Sequence, residues 1–152
     1  PVKRKDSEAA AGSLLKAMEA VRAGQCIVIY PEGTLTRDPN LWPMSSKTGA
    51  ARIALTTGVQ VIPAAQWGPN HVLKPYGKMF YLLPRKTMHV WAGEPVNLDD
   101  LRNQPITAAT LREATDRIMK AVTDLLASQR GVPAPDKPMP RNAVPPRKPE
   151  SA

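Results

Sequence analysis

The fold turns on Cys26-Ile27-Val28-Ile29-Tyr30-Pro31-Glu32-Gly33-Thr34. Residues 26–30 form a short continuous apolar run rich in β-branched side chains. Such a run reads as a strand buried on both faces, as in parallel sheets. Pro31-Glu32-Gly33-Thr34 ends it in a turn. Upstream, Leu14, Leu15, Met18 and Val21 make an apolar stripe that predicts a helix over residues 7–23, stopped by Gly24. Downstream, Asp38-Pro39 and Trp42-Pro43 break residues 35–46 into loop. A second helix is expected from about Lys47 to Thr57, with Gly58 as its stop, followed by a strand over Val59–Ile62 that ends at Pro63. Strand, loop, helix and strand in that order predict a βαβ unit with a right-handed crossover.

The rest of the chain extends this pattern. Further strands are expected at Met79–Leu83 and Thr87–Trp91. Thr110 and Glu113 give a helix start signal. Leu111, Ala114, Ile118, Val122 and Leu125 then recur at helical spacing, and Gly131 stands where a C-cap glycine belongs. Residues 131–152 hold seven of the 17 prolines and read as a disordered, polyproline-biased, basic tail. The expected fold class is α/β, a mixed and largely parallel sheet flanked by helices, with residues 1–130 as the folded part and 131–152 as the tail.

Composition narrows the function. The single cysteine, Cys26, excludes an internal disulfide, and with only two histidines beside it a structural zinc site is not expected. No apolar run reaches the roughly 18 residues of a transmembrane helix, and no signal-peptide pattern opens the sequence. The chain begins at Pro1 with no methionine, so we expect it to be part of a longer protein, with a sheet incomplete at its N-terminal side. The net charge is +8, of which residues 131–152 contribute +2. A basic folded part points to phosphate-bearing partners: nucleic acid, an anionic membrane or phosphorylated small molecules. Nucleic acid is the weakest of these, because no recognition motif is present and aromatics make up 5%.

In open α/β sheets ligands gather at the carboxyl ends of strands. Two turns there stand out, Pro31–Thr34 and Pro63–Gln66. Gly33 allows a close backbone approach or a positive φ. Glu32, so near a buried strand end, needs a partner, for which Arg4, Arg37 and Lys47 are the candidates. Together they suggest an anion pocket, and a planar guanidinium suits a phosphate monoester because it donates two parallel hydrogen bonds. The plainer alternative is a tight turn with a surface acid.

Ile29-Tyr30-Pro31-Glu32-Gly33-Thr34 resembles the Phe-Pro-Glu-Gly-Thr motif of the glycerolipid acyltransferase family, whose best-known members are the 1-acylglycerol-3-phosphate acyltransferases. Lys47-Thr48-Gly49 is similar to that family's Phe-Lys-x-Gly stretch, Val61-Ile62-Pro63-Ala64 to its Val-Ile-Pro-Val motif, and Pro1-Val2-Lys3-Arg4 to the end of its second motif. Val90-Trp91-Ala92-Gly93-Glu94-Pro95 carries a looser likeness to a later strand end. The resemblance implies acyl transfer from acyl-CoA or acyl carrier protein to the free hydroxyl of a lysophospholipid, in phospholipid biosynthesis. It implies no metal or cofactor beyond the thioester donor. It places the enzyme peripherally on the cytoplasmic face of the cell membrane. By position, Arg4 corresponds to the arginine taken to bind the acceptor phosphate, Glu32, Gly33 and Thr34 to the acceptor motif, and Pro63 to the proline that shapes the donor side. By the same resemblance Lys47 is a further candidate phosphate ligand. Where the family often has arginine directly after Gly-Thr this chain has Leu35, with Arg37 two residues on.

The family's general base is a histidine in a His-x4-Asp motif that precedes the second motif. This chain holds no such motif. His71 is followed five residues on by Tyr76, and His89 by Glu94 on a strand-like segment, where positions five apart face opposite ways. The chain is therefore expected to supply an acceptor site without the base. The alternative is a non-catalytic phosphate- or membrane-binding module on the same scaffold. Lys74–Lys86, with four bases and no acid among aromatic and aliphatic residues, suits an anionic membrane, or else a plain strand pair with solvated lysines. Cys26 reads as a buried strand residue, and Trp42 and Trp67 as core.

Overall fold

Glycines end the first helices as their backbone freedom predicts. The computed structural model describes residues 7–143. Helix α1 runs Ser7–Arg22 and gives way to Gly24, which takes a φ of 78°. Helix α2 spans Gly49–Thr57 and is closed by Gly58 in the left-handed conformation, its N–H donating to the Ala54 carbonyl. Strand β1 (Ala64–Trp67) and the single turn α3 (Pro69–Val72) follow, then β2 (His89–Ala92), the short α4 (Asp99–Arg102) and the long α5 (Ala108–Arg130). Thr107, three residues before the expected start, caps α5 by accepting a hydrogen bond from the Thr110 N–H at 3.1 Å. Gly131 closes it with a φ of 65°.

The sheet departs from expectation. It has two strands among the described residues, and they are antiparallel, with Ala64 opposite Ala92 and Trp67 opposite His89. No parallel ladder and no βαβ unit forms there. The ladder lies just beyond Pro63, and two further bonds, Gly93 N–H to the Pro63 carbonyl and Val96 N–H to the Val61 carbonyl, carry it back toward the expected 59–62 strand. Residues 26–30 join no strand ladder among the described residues. Cys26 is exposed rather than buried, and Val28 and Tyr30 are 82% and 74% exposed. The physical reason is that a doubly buried strand needs neighbours on both edges, and the described residues provide none. Met79–Leu83 forms no strand either, only an isolated bridge between Leu73 and Phe80.

The core is mostly helical. Ala51, Ala54 and Leu55 of α2 meet Leu111, Ala114 and Ile118 of α5, with Leu98 and Leu101 filling the space beside α4. Arg117 ties α4 to α5: its guanidinium donates to both carboxylate oxygens of Asp100, at 2.6 and 2.9 Å, and to Glu113. That partner holds the Asp100 carboxyl below its ordinary range. A second cluster joins Trp42, Ala65 and Leu126, with Trp67, Trp91 and Ala134 against it. Within the proline-rich tail, residues 139–143 are held against the domain. The Met139 carbonyl accepts from Ser45 N–H, Arg141 N–H donates to the Ser45 hydroxyl, and the Ala143 carbonyl accepts from Arg37. Proline leaves carbonyls free to accept while it removes its own donors, so a loop that offers donors can hold such a segment. Residues 144–152 lie outside the described part.

Candidate functional site

The turn after residue 30 is the entry to a tied loop. Gly33 has a φ of 66°, its N–H donates to the Tyr30 carbonyl, and no atom stands within 4 Å of where a Cβ would be. Glu32 finds its partner in the main chain. Its Oε2 accepts from the Met44 N–H at 2.7 Å, and the Lys47 N–H donates to the Pro31 carbonyl at 3.0 Å. These two contacts close residues 31–47 into a loop whose ends meet. Inside it the Asp38 carboxylate accepts from Asn40 and Trp42 N–H, and the Thr36 hydroxyl donates to the Trp42 carbonyl. Met44 is completely buried, and its sulfur accepts from Arg37 N–H. Under the loop, the Arg130 guanidinium stands 4.2 Å from the Trp42 ring centre and 4.4 Å from that of Trp67.

The expected site residues therefore divide. Glu32, Gly33, Thr34, Arg37 and Lys47 share this one loop. Pro63 is buried just ahead of β1, its ring 3.1 Å from where a Cβ on Gly93 would sit. Arg4 lies outside the described residues. The expectation that Arg37 or Lys47 would pair with Glu32 is not met, because the Met44 amide already satisfies the carboxylate and Arg37 is turned to the Ala143 carbonyl at 3.1 Å. The Lys47 side chain is exposed. Neither histidine faces a carboxylate among the described residues. His71 meets the Trp67 ring edge-on, and His89 stacks on Trp91 with ring centres 5.3 Å apart. Among those residues no cluster of His, Cys, Asp or Glu suits a metal ion, and no helix is long and apolar enough to cross a membrane.

Burial pushes the Glu32 carboxyl above its ordinary range, and the Met44 hydrogen bond, which favours the ionised form, offsets only part of this. The folded state thus holds this proton more tightly than the unfolded chain does. Its stabilising effect is complete below the unfolded carboxylate value and is lost as pH rises through the folded one. Glu32→Gln keeps an oxygen acceptor for Met44 and cannot titrate. Its thermal midpoint relative to the parent is expected to be higher near neutral pH than at about pH 4. A pH-independent difference would mean that the carboxyl is not desolvated.

Two features of this site were not foreseen from sequence: the Trp–Arg–Trp stack and the tail strapped on at Ser45. Asp38-Pro39, read as a breaker, stands at the Asx turn of the loop's tip, where Asn40 N–H donates to the Asp38 carboxylate.

Residues 1–67 match the family model described as Acyltransferase. A chloroplastic 1-acyl-sn-glycerol-3-phosphate acyltransferase of Brassica napus is 37% identical over 73 residues, 48% of this chain and 21% of that protein. The chloroplastic protein of the same description from Arabidopsis thaliana is 34% identical over 73 residues, 48% of this chain and 20% of its own length. The 1-acyl-sn-glycerol-3-phosphate acyltransferase of Borreliella burgdorferi is 33% identical over 70 residues, 46% of this chain and 27% of its own. The matched stretch spans about a fifth to a quarter of these relatives. No solved structure matches the chain. The stretch that holds the Glu32-Gly33-Thr34 turn is thus similar to the glycerolipid acyltransferases.

Proposed function

We propose that this chain carries the acceptor-phosphate part of an enzyme that transfers an acyl group from acyl-CoA or acyl carrier protein to the free hydroxyl of 1-acylglycerol-3-phosphate. The observation that carries the reading is the Glu32-Gly33-Thr34 turn, tied through Glu32 and Pro31 to residues 44–47, inside the stretch that matches the family. In this reading Arg4 and Lys47 hold the acceptor phosphate. Glu32 keeps the turn in place, and Pro63 shapes the donor side. Positive side chains and main-chain N–H groups stabilise charge as it develops. The histidine base comes from outside this chain. The protein works peripherally at the cytoplasmic face of an anionic membrane, and the thioester donor is the only further molecule it needs.

Steady-state kinetics of the protein at its natural length test the assignment. Arg4→Ala is expected to raise the acceptor KM about tenfold or more, the usual loss for a charge-assisted phosphate contact, and to leave the donor KM within about twofold. Equal effects on both substrates would remove Arg4 from the acceptor site. Lipid binding with no thioester turnover would favour the non-catalytic module instead.

A further inference from the structure

The chain has no acidic residue between Asp38 and Glu94, and within that stretch stand Lys47, Arg52, Lys74, Lys78, Arg85 and Lys86. Four of these six fall in the segment that leaves α3 and returns toward β2. The segment is folded back on itself. Leu73 bridges Phe80, the Tyr81 N–H donates to the Val72 carbonyl, and the Tyr76 hydroxyl donates to the Leu35 carbonyl. Its apolar residues point outward: Met79, Phe80, Leu82 and Leu83 are 65%, 63%, 67% and 85% exposed. A run of this kind is unusual on a surface that faces only water.

Charge and apolar surface meet at a cleft. It has a volume of about 590 Å³ and lies between the loop tip at Leu41 and the folded-back segment, with Asn70, His71, Lys74, Tyr81 and Lys86 along its walls. The Lys74 ammonium stands 5.8 Å from the Tyr81 ring centre. The volume falls within the range of small-molecule sites, roughly 300–1,000 Å³, so a polar headgroup fits. Lysines with long apolar stems beside tyrosines are the side chains that sit at a headgroup boundary, ammonium in the phosphate layer and ring below it.

We infer that residues 72–88 dock this protein on an anionic phospholipid surface, with a headgroup phosphate in the cleft between Lys74 and Lys86 and Met79, Phe80, Leu82 and Leu83 in the acyl boundary. Charge complementarity selects the occupant. A basic, acid-free surface is matched by a leaflet rich in phosphate, whereas an apolar protein partner leaves the four cations of the segment without counter-charges. The inference rests on the peripheral-membrane part of the proposed function and is independent of the acceptor-site assignment.

The test is co-sedimentation of the protein at its natural length with vesicles of phosphatidylglycerol and phosphatidylcholine in equal parts. The parent protein is expected to pellet with them, to stay in solution with phosphatidylcholine alone, and to be released by salt. Lys74→Glu with Lys86→Glu is expected to weaken partitioning about tenfold or more. Leu82→Ser with Leu83→Ser, which leaves the charges in place, is expected to weaken it by a similar factor. All four side chains lie at the surface or the cleft wall, and an unchanged thermal midpoint certifies the fold of each variant. A parent that pellets while both double variants pellet equally well would overturn this docking element and leave the peripheral reading standing. A parent that never pellets would overturn both. Release by coenzyme A or inorganic phosphate at constant ionic strength would assign the cleft to a soluble phosphate and overturn the lipid dock.

Discussion

Replacing Met44 with alanine is expected to cost about 2–5 kcal/mol, the usual loss for a fully buried methionine. It is also expected to lower the thermal midpoint on the order of 10 °C for a domain of this size. The side chain is completely buried, and its sulfur is the acceptor for the Arg37 N–H. Alanine keeps the main-chain donor that holds Glu32, so the variant separates packing from the hydrogen bond. With the thioether gone, the loop loses its one buried anchor between Trp42 and Ser46 that is both apolar and central. Activity of the natural-length protein is expected to fall with the fold, because the Glu32-Gly33-Thr34 turn is positioned by the residues that Met44 pins down. Met44→Leu preserves most of the volume and is expected to cost less than about 1.5 kcal/mol. Circular-dichroism melting of the two variants decides the matter: an alanine variant that melts like the parent would show that the loop is not anchored there.

Gly68→Ala is expected to be comparably damaging for a different reason. Gly68 links β1 to α3 with a φ of 120°, a backbone region nearly reserved for glycine. An added Cβ would sit 2.4 Å from the Thr87 carbonyl oxygen and 3.1 Å from the Met88 Cα. Both are backbone atoms of the segment leading into β2, so neither can swing aside as the tip of a side chain would. Conformational strain of about 1–3 kcal/mol and overpacking of similar size act together. The midpoint is expected to fall about 10 °C or more. Because Thr87 and Met88 also end the folded-back segment, the variant should lose vesicle binding along with stability. A soluble Gly68→Ala protein with the parent's midpoint would show that the β1 and β2 ends are not in this close contact.

The helices were legible because their signals are local. An apolar stripe and a terminal glycine suffice for α1, α2 and α5, and the structure moves their ends by only a few residues. Thr107 displaces Thr110 as the α5 cap because Thr110 turns its own hydroxyl to the Pro105 carbonyl. The Pro31–Thr34 turn was legible for the same reason, as a contiguous motif. The sheet was not. Strand pairing depends on partners distant in sequence, and residues 26–30 have the composition of a doubly buried strand without, among the described residues, the neighbours that would make them one. Among the described residues the Glu32 partner is a main-chain amide twelve residues on, which sequence does not announce because it suggests side chains as counter-ions. The contact of Arg130 with Trp42 and Trp67 spans too much of the chain for any local pattern to announce it, and so do the bonds of the tail to Ser45 and Arg37.

The uncovered 26–30 segment carries the chain's single thiol, and Cys26 is exposed on it. The molecule therefore holds its own chemical clock. Alkylation proceeds at the rate of an open thiol while that edge is bare, and slows once other backbone or side chains are laid over it. Timing the reaction by mass spectrometry during refolding or association follows the covering of this one edge with no substitution and no attached dye.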